Sequence, residues 1–111
     1  MPWKARTISV GTTPVVIASD TVAAGSTAAL SLAGASLFDT VPVVVQTTSL
    51  TPIWLGGSSM TTASTMLGMQ LVASSTSTPN NVTFNLMASD PLFAITTGAA
   101  VIITVLGGRQ S

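Results

Sequence analysis

The chain of 111 residues contains neither cysteine nor histidine. Without cysteine, disulfides, thiolate metal sites and thiol nucleophiles are excluded. Without histidine, the commonest general base and the commonest metal ligand are missing. The only side-chain carboxylates are those of Asp20, Asp39 and Asp90. The side-chain inventory therefore predicts no enzyme activity, no metal site and no cofactor.

The few groups that could carry chemistry are poorly placed for it. A serine-lysine pair would have to use Lys4, close to the N-terminus. The aspartates are scattered beside turn residues, as in Asp90-Pro91, and form no calcium-binding cluster. The segment Leu55-Gly56-Gly57-Ser58 lacks the lysine and the helix of a phosphate-binding loop. We interpret its glycines as a turn.

Charge is almost absent: three cations and three anions give a net charge of zero. Such a chain has no positive field with which to attract nucleic acid, so no nucleic-acid partner is expected. A soluble small domain usually carries a mixed charged surface. Two interpretations follow, namely a surface solvated by hydroxyl groups or a surface committed to neighbouring subunits. We favour the second.

The length predicts a single domain over residues 1–111. The longest apolar stretch, residues 99–106, is far shorter than the roughly 20 residues of a membrane-spanning helix. No signal-peptide pattern follows the first basic residues. The chain is therefore expected neither to cross a membrane nor to carry a secretory signal.

Short runs of apolar and small polar residues, bounded by Gly, Pro, Asn, Asp and Ser, are typical of β-strands. Their number and spacing predict an all-β fold, an antiparallel β-sandwich or jelly-roll-like barrel of about eight to nine short strands. A single helical turn at residues 33–38 is the one helical alternative, and its Ser and Gly content favours strand and loop. The predicted strands are residues 7–10, 14–19, 28–32, 43–48, 52–55, 69–73, 82–87, 92–96 and 100–106.

The side-chain pattern predicts how some of these strands are buried. In residues 82–86 Val, Phe and Leu alternate with Thr and Asn, which predicts a half-buried strand. Residues 43–45 and 101–103 are apolar at every position. Such runs indicate central strands covered on both faces, or strands that lie against another subunit.

Five residues are candidates for contacts with a partner. Residues 1–6 could form an N-terminal arm, and Trp3, Lys4 and Arg6 would then reach a neighbour, although frayed solvated termini are the commoner case. Arg109 holds the remaining positive charge, near the C-terminus. Trp54 is expected in the core or in a subunit contact, with a sugar-binding platform as the alternative.

The segment at residues 52–71, PIWLGGSSMTTASTMLGMQL, resembles a segment of small structural proteins of tailed bacteriophages. In those proteins a strand ends in Leu-Gly-Gly, Ser-x-hydrophobe-Thr-Thr follows, and a strand returns. Leu55-Gly56-Gly57, Ser58, Met60 and Thr61-Thr62 stand in that order here. The segments ISVGTTP at residues 8–14 and DPLFAI at residues 90–95 are also similar, so the resemblance spans most of the chain.

The resemblance implies a β-sandwich virion component, most readily a capsid decoration (cement) protein on the capsid surface. Its partners would be the major capsid protein and further copies of itself, a trimer being one symmetry it allows. The alternative is a tail, fibre or connector module. A tail or fibre-tip module could bind a host glycan through Trp54 and the loop at residues 58–65, whereas a tail-tube or connector subunit would differ mainly in its ring symmetry. The resemblance implies no catalytic residue, and a membrane or small-molecule ligand is not expected.

Overall fold

A computed structural model describes residues 4–23, 26, 28–32, 40–57, 69–75, 77–87 and 90–107. These residues contain strands and no helix. In chain order the strands are β1 (Lys4–Val10), β2 (Val15–Ser19), β3 (Leu30–Ser31), β4 (Thr40–Thr47), β5 (Ile53–Gly56), β6 (Met69–Leu71), β7 (Asn80–Met87), β8 (Leu92–Thr96) and β9 (Val101–Gly107).

The strands form two sheets. A four-stranded sheet has the order β1-β9-β4-β7, and a five-stranded sheet has the order β3-β2-β8-β5-β6. Neighbours pair antiparallel, with the exception of the short parallel pair of β2 and β3. The two sheets pack face to face through one aliphatic core. The predicted all-β sandwich is confirmed.

The core owes its form to the two-residue period of the strands, which directs alternate side chains into the space between the sheets. In β4 and β9 every second side chain is buried. These residues are mostly Val and Ile, whose branched side chains pack well on a pleated surface. The largest fully buried side chains are Val10, Ile17, Leu30, Leu32, Val41, Val43, Val45, Ile53, Leu55, Ile95, Ile103 and Val105.

Each of the nine predicted strands is present, and all but the strand at residues 92–96 have shifted ends. The starts of β1 and β4 move furthest, from residue 7 to Lys4 and from residue 43 to Thr40. Strand β1 begins at Lys4 because Lys4, Ala5 and Arg6 pair with Gly107, Leu106 and Val105 of β9. The described part of the expected N-terminal arm is therefore a paired strand. Residues 1–3 and the helical alternative at residues 33–38 lie outside the described residues.

Two glycines that follow predicted strands are the last residues of the observed ones, Gly56 in β5 and Gly107 in β9. Gly56 pairs with Phe93 of β8, and a turn at Gly56-Gly57 would continue into residues that lie outside the described part of the chain. Residues 57–68 connect β5 to β6, which pairs antiparallel with β5 as the expected return strand. Gly107 continues β9 without a left-handed backbone, and a Cβ at this position would collide with the Leu30 side chain.

Candidate contact surface

The four-stranded sheet has one face turned away from the core, which we call the outer face. The pairing register places successive side chains of β1, β9, β4 and β7 in rows across it. Burial agrees with this assignment, because the outer positions alternate with buried core residues along β9 and β4. The outer face consists of Ala5, Thr7, Ser9, Thr40, Pro42, Val44, Gln46, Asn81, Thr83, Asn85, Met87, Ile102, Thr104 and Leu106.

Two neighbouring rows on this face differ in polarity. One row runs from Ala5 through Leu106 and Val44 to Thr83. The next row is polar throughout and runs through Thr7, Thr104, Gln46 and Asn81. Rows two residues apart lie about 7 Å from each other. The outer face thus presents a mainly apolar row beside a row of hydroxyl and amide groups.

None of the strand residues that form the outer face is charged. Among the described residues the charges are Lys4, Arg6, Asp20 and Asp90. Lys4 and Arg6 lie on the edge strand β1, at positions that alternate with Ala5, Thr7 and Ser9 and so do not belong to the outer face. The two aspartates lie outside all strands. A partner that covered the outer face would therefore not have to desolvate an ion there.

Two large apolar side chains on this face are exposed. Ile102 on the central strand β9 is 56% exposed, and Met87 at the end of β7 is 39% exposed. Val44 and Leu106 are half-buried. The runs 43–45 and 101–103 do form central strands, as predicted. At Ile102, the described residues leave the outer side of the run 101–103 uncovered. The sequence pattern indicated this run as a candidate interface but did not single out Ile102.

Of the predicted contact residues, the structure describes Lys4, Arg6 and Trp54, and it does not bring these three into one site. Lys4 is exposed on β1. Arg6 is half-buried, and its Nε donates a hydrogen bond of 2.7 Å to the carbonyl oxygen of Ser26. Arg6 therefore ties the connection between β2 and β3 to the edge of the other sheet. Trp3 and Arg109 lie outside the described residues.

Trp54 lies on β5 of the five-stranded sheet, whereas Lys4 and Arg6 lie on β1 of the four-stranded sheet. It is only 9% exposed and packs with Ile95 and Phe93 in a small second cluster. The indole Nε1 is buried and has no hydrogen-bond partner among the described residues. A stacking platform for a sugar needs an open ring face, which this burial does not leave.

A groove lies where edge strand β7 meets the other sheet. It has a volume of about 370 Å³. The half-buried side chains of Phe84 and Leu86 form one wall, and Asp90 is its one charged lining residue within the described chain. The remaining lining residues are Gly56, Gly57, Pro91 and Leu92. The alternation in residues 82–86 predicted the half-buried face of β7, but no local pattern indicates which other residues adjoin it.

No protein-family model, curated protein or solved structure matches the chain. The described residues include no cluster of three or more potential metal-ligating side chains. They also contain no apolar helix of a length that could cross a membrane. The candidate site is therefore defined by the outer face and the adjoining edge of the four-stranded sheet.

Proposed function

We propose that the chain is a structural virion protein of a tailed bacteriophage, a capsid decoration protein that binds the lattice of the major capsid protein. The observation that carries this proposal is the outer face, whose strand residues include no charged side chain. Depletion of charge is what distinguishes the buried core of a protein interface from ordinary surface. The attribution to a phage rests on the resemblance of residues 52–71.

The outer face would act through burial and hydrogen bonding. Covering Ile102, Val44 and Leu106 removes apolar area from water, worth about 25 cal/mol per Å² before the costs of association. The adjacent row of Thr7, Thr104 and Gln46 supplies donors and acceptors for the partner. Because the strands are already ordered by the core, binding needs little rearrangement of this chain.

The tail, fibre or connector role remains the alternative for the same fold. Its glycan-binding form has less support, because Trp54 is buried and cannot offer a ring face. Copy number separates the two roles. Quantitative mass spectrometry of purified virions should find hundreds of copies for a capsid decoration protein, whereas a small multiple of three or six would indicate a tail or connector part.

Add-back binding tests the face itself. Virions of the phage that encodes the chain, prepared without this protein, are mixed with purified protein and pelleted. Wild-type protein should pellet with the capsids, and Ile102→Lys should not, because it places a charge at the most exposed large apolar position of the outer face. Leu50→Lys is the matched control, since Leu50 is 58% exposed in the connection between β4 and β5 and should not affect binding.

Two results would contradict the proposal. Equal pelleting of wild-type and Ile102→Lys protein would remove the outer face from the contact. Virions that lack the protein yet keep their full resistance to heat and chelator would argue against a cementing role.

A further inference from the structure

Strand β7 is a sheet edge without the usual protection. Natural edges are usually very short, or carry charges, proline or a bulge, because unpaired backbone groups attract other strands. Two edges of this molecule, β3 and β6, have two and three residues. The edge strand β1 carries Lys4 and Arg6. By contrast, β7 has eight residues, no charge, no proline and an unbroken register with β4.

The open backbone groups of β7 can be identified from its neighbours. In an antiparallel pair, alternate residues direct both N–H and C=O toward the partner strand. The Asn81 N–H donates to Oδ1 of Asn80 at 2.9 Å, and the Met87 C=O accepts from the Asp90 N–H at 2.9 Å. Both groups therefore point away from β4. Because backbone direction alternates along the strand, Thr83 and Asn85, which lie between these two residues, also direct their N–H and C=O groups away from β4.

Proline on the neighbouring strand supports this phase. Pro42 lies opposite Asn85 and has no N–H to donate. If Asn85 directs its backbone groups away from β4, then Pro42 directs its own toward β9. The pairing of β4 with β9 ends one residue earlier, at Val43 with Gly107, so no β9 residue of the ladder lies opposite Pro42. The missing donor then costs no ladder bond. Within the described part of the chain, the open edge is thus the middle of β7, at Thr83 and Asn85, and the chain itself caps both ends.

This edge is complementary to itself. If two β7 strands pair antiparallel about a two-fold axis at Phe84, Thr83 of each copy lies opposite Asn85 of the other. Both residues direct their N–H and C=O groups outward, so each such pair can exchange two hydrogen bonds. In the same register the two capped groups, the Asn81 N–H and the Met87 C=O, fall opposite each other and end the ladder symmetrically.

The side chains fit the same register. Val82, Phe84 and Leu86 are half-buried and pack on the edge of the core. In the pair, Phe84 meets its own counterpart at the axis, and Val82 meets Leu86 on either side. Aromatic and branched side chains in such cross-strand positions stabilise a sheet. No charge of β7 opposes the contact, because the strand has none.

We propose that the protein forms a two-fold symmetric dimer in which β7 pairs antiparallel with β7 of a second copy, in register Phe84 to Phe84. The two four-stranded sheets then become one continuous sheet, and the apolar groove wall of Phe84 and Leu86 is covered from across the axis. An isologous contact of this kind closes at two copies. The inference does not rest on the virion role proposed above.

The oligomeric state is the first test. Sedimentation velocity over a concentration series should give a mass approaching twice the 11.1 kDa of one chain. Thr83→Lys with Asn85→Lys places lysines opposite each other across the axis and should raise the dimer dissociation constant about tenfold or more. Thr7→Lys with Ser9→Lys makes the same charge change on exposed residues of the β1 edge and should leave the dimer intact.

A disulfide tests the register. The chain has no cysteine, so Phe84→Cys provides a single thiol, placed in a non-hydrogen-bonded pair with a Cα separation of about 4.5 Å. That separation permits a disulfide, and oxidation should yield a covalent dimer. Leu86→Cys is the matched control from the same face, because its counterpart lies four residues away, about 13 Å, and cannot be bridged.

Several results would overturn the proposal. A wild-type protein that stays monomeric at all concentrations would show that β7 does not pair with itself, and would leave this edge to a strand from another protein. Loss of the dimer in the β1 variant but not in the β7 variant would place the contact at the opposite edge. Efficient cross-linking of the Leu86→Cys protein, with none of the Phe84→Cys protein, would exclude this register.

Discussion

The two faces of the four-stranded sheet are made by the same strands and meet opposite environments. The buried residues of the inner face are mostly Val and Ile and pack against the second sheet. The outer face mixes Thr, Ser, Asn and Gln with a few aliphatic residues, and its strand residues carry no charge. Two consecutive residues of β9 show the contrast most directly: Ile103 is 1% exposed and Ile102 is 56% exposed.

The comparison separates the low charge that folding requires from the low charge that folding does not require. The inner face would be uncharged in any stable sandwich, because buried ions are costly. The outer face is under no such constraint, since charges on a solvated sheet face cost little. An uncharged outer face is therefore a property that folding does not require, and it is the part of the molecule for which a contact function is the natural explanation.

The largest effect should come from Ile103→Thr. The substitution shortens a fully buried side chain and leaves a hydroxyl in the core, so the free energy of unfolding should fall by about 2 to 4 kcal/mol. Urea denaturation followed by circular dichroism measures this as a lower midpoint at unchanged slope. A loss below about 0.5 kcal/mol would mean that the inner face is not packed as the burial indicates.

An intermediate effect is expected at Gly107, where the inner face of β9 approaches the other sheet closely. A Cβ there would collide with the Leu30 side chain, which is itself buried. Because Leu30 is enclosed and has little room to move, Gly107→Ala should destabilise the protein by about 1 to 3 kcal/mol. Thermal unfolding should show a correspondingly lower midpoint temperature.

Two further variants make the Gly107 result specific. Gly98→Ala adds the same methyl group where nothing lies within 4 Å, so its stability should stay within about 0.5 kcal/mol of wild type. Leu30→Val removes part of the obstructing side chain, and the double variant with Gly107→Ala should be more stable than the sum of the single changes predicts. If the stability changes of Gly107→Ala and Leu30→Val simply add in the double variant, the two residues are not in contact.

The strands could be predicted from the sequence because their signal is local. Alternation in residues 82–86 and the bounded apolar runs are properties of neighbouring residues, and each of the nine predicted strands is present. Strand ends were less predictable. Polar Lys4 and Arg6 belong to β1 because β9 pairs with them, and Gly107 belongs to β9 because Lys4 and Val43 pair with it from either side.

The sequence predicted that the candidate site is a contact surface, but not which residues form it. The scarcity of charge and the apolar runs at residues 43–45 and 101–103 pointed to a subunit contact. They could not show that Val44 and Leu106 share a row, since that depends on the register of β4 with β9. The open edge at β7 depends on sheet order, which no local pattern encodes, and the burial of Trp54 depends on packing beside Ile95 and Phe93.

The smallest effect, and the sharpest comparison with Ile103, is expected for Ile102→Thr. The substitution is the same, and Thr keeps the branched side chain that suits a strand, so only the environment differs. With a side chain 56% exposed, the free energy of unfolding should change by no more than about 0.5 kcal/mol. A loss of more than about 1 kcal/mol, measured in urea on a dilute sample, would mean that the outer face is already covered within the molecule and is not available to a partner.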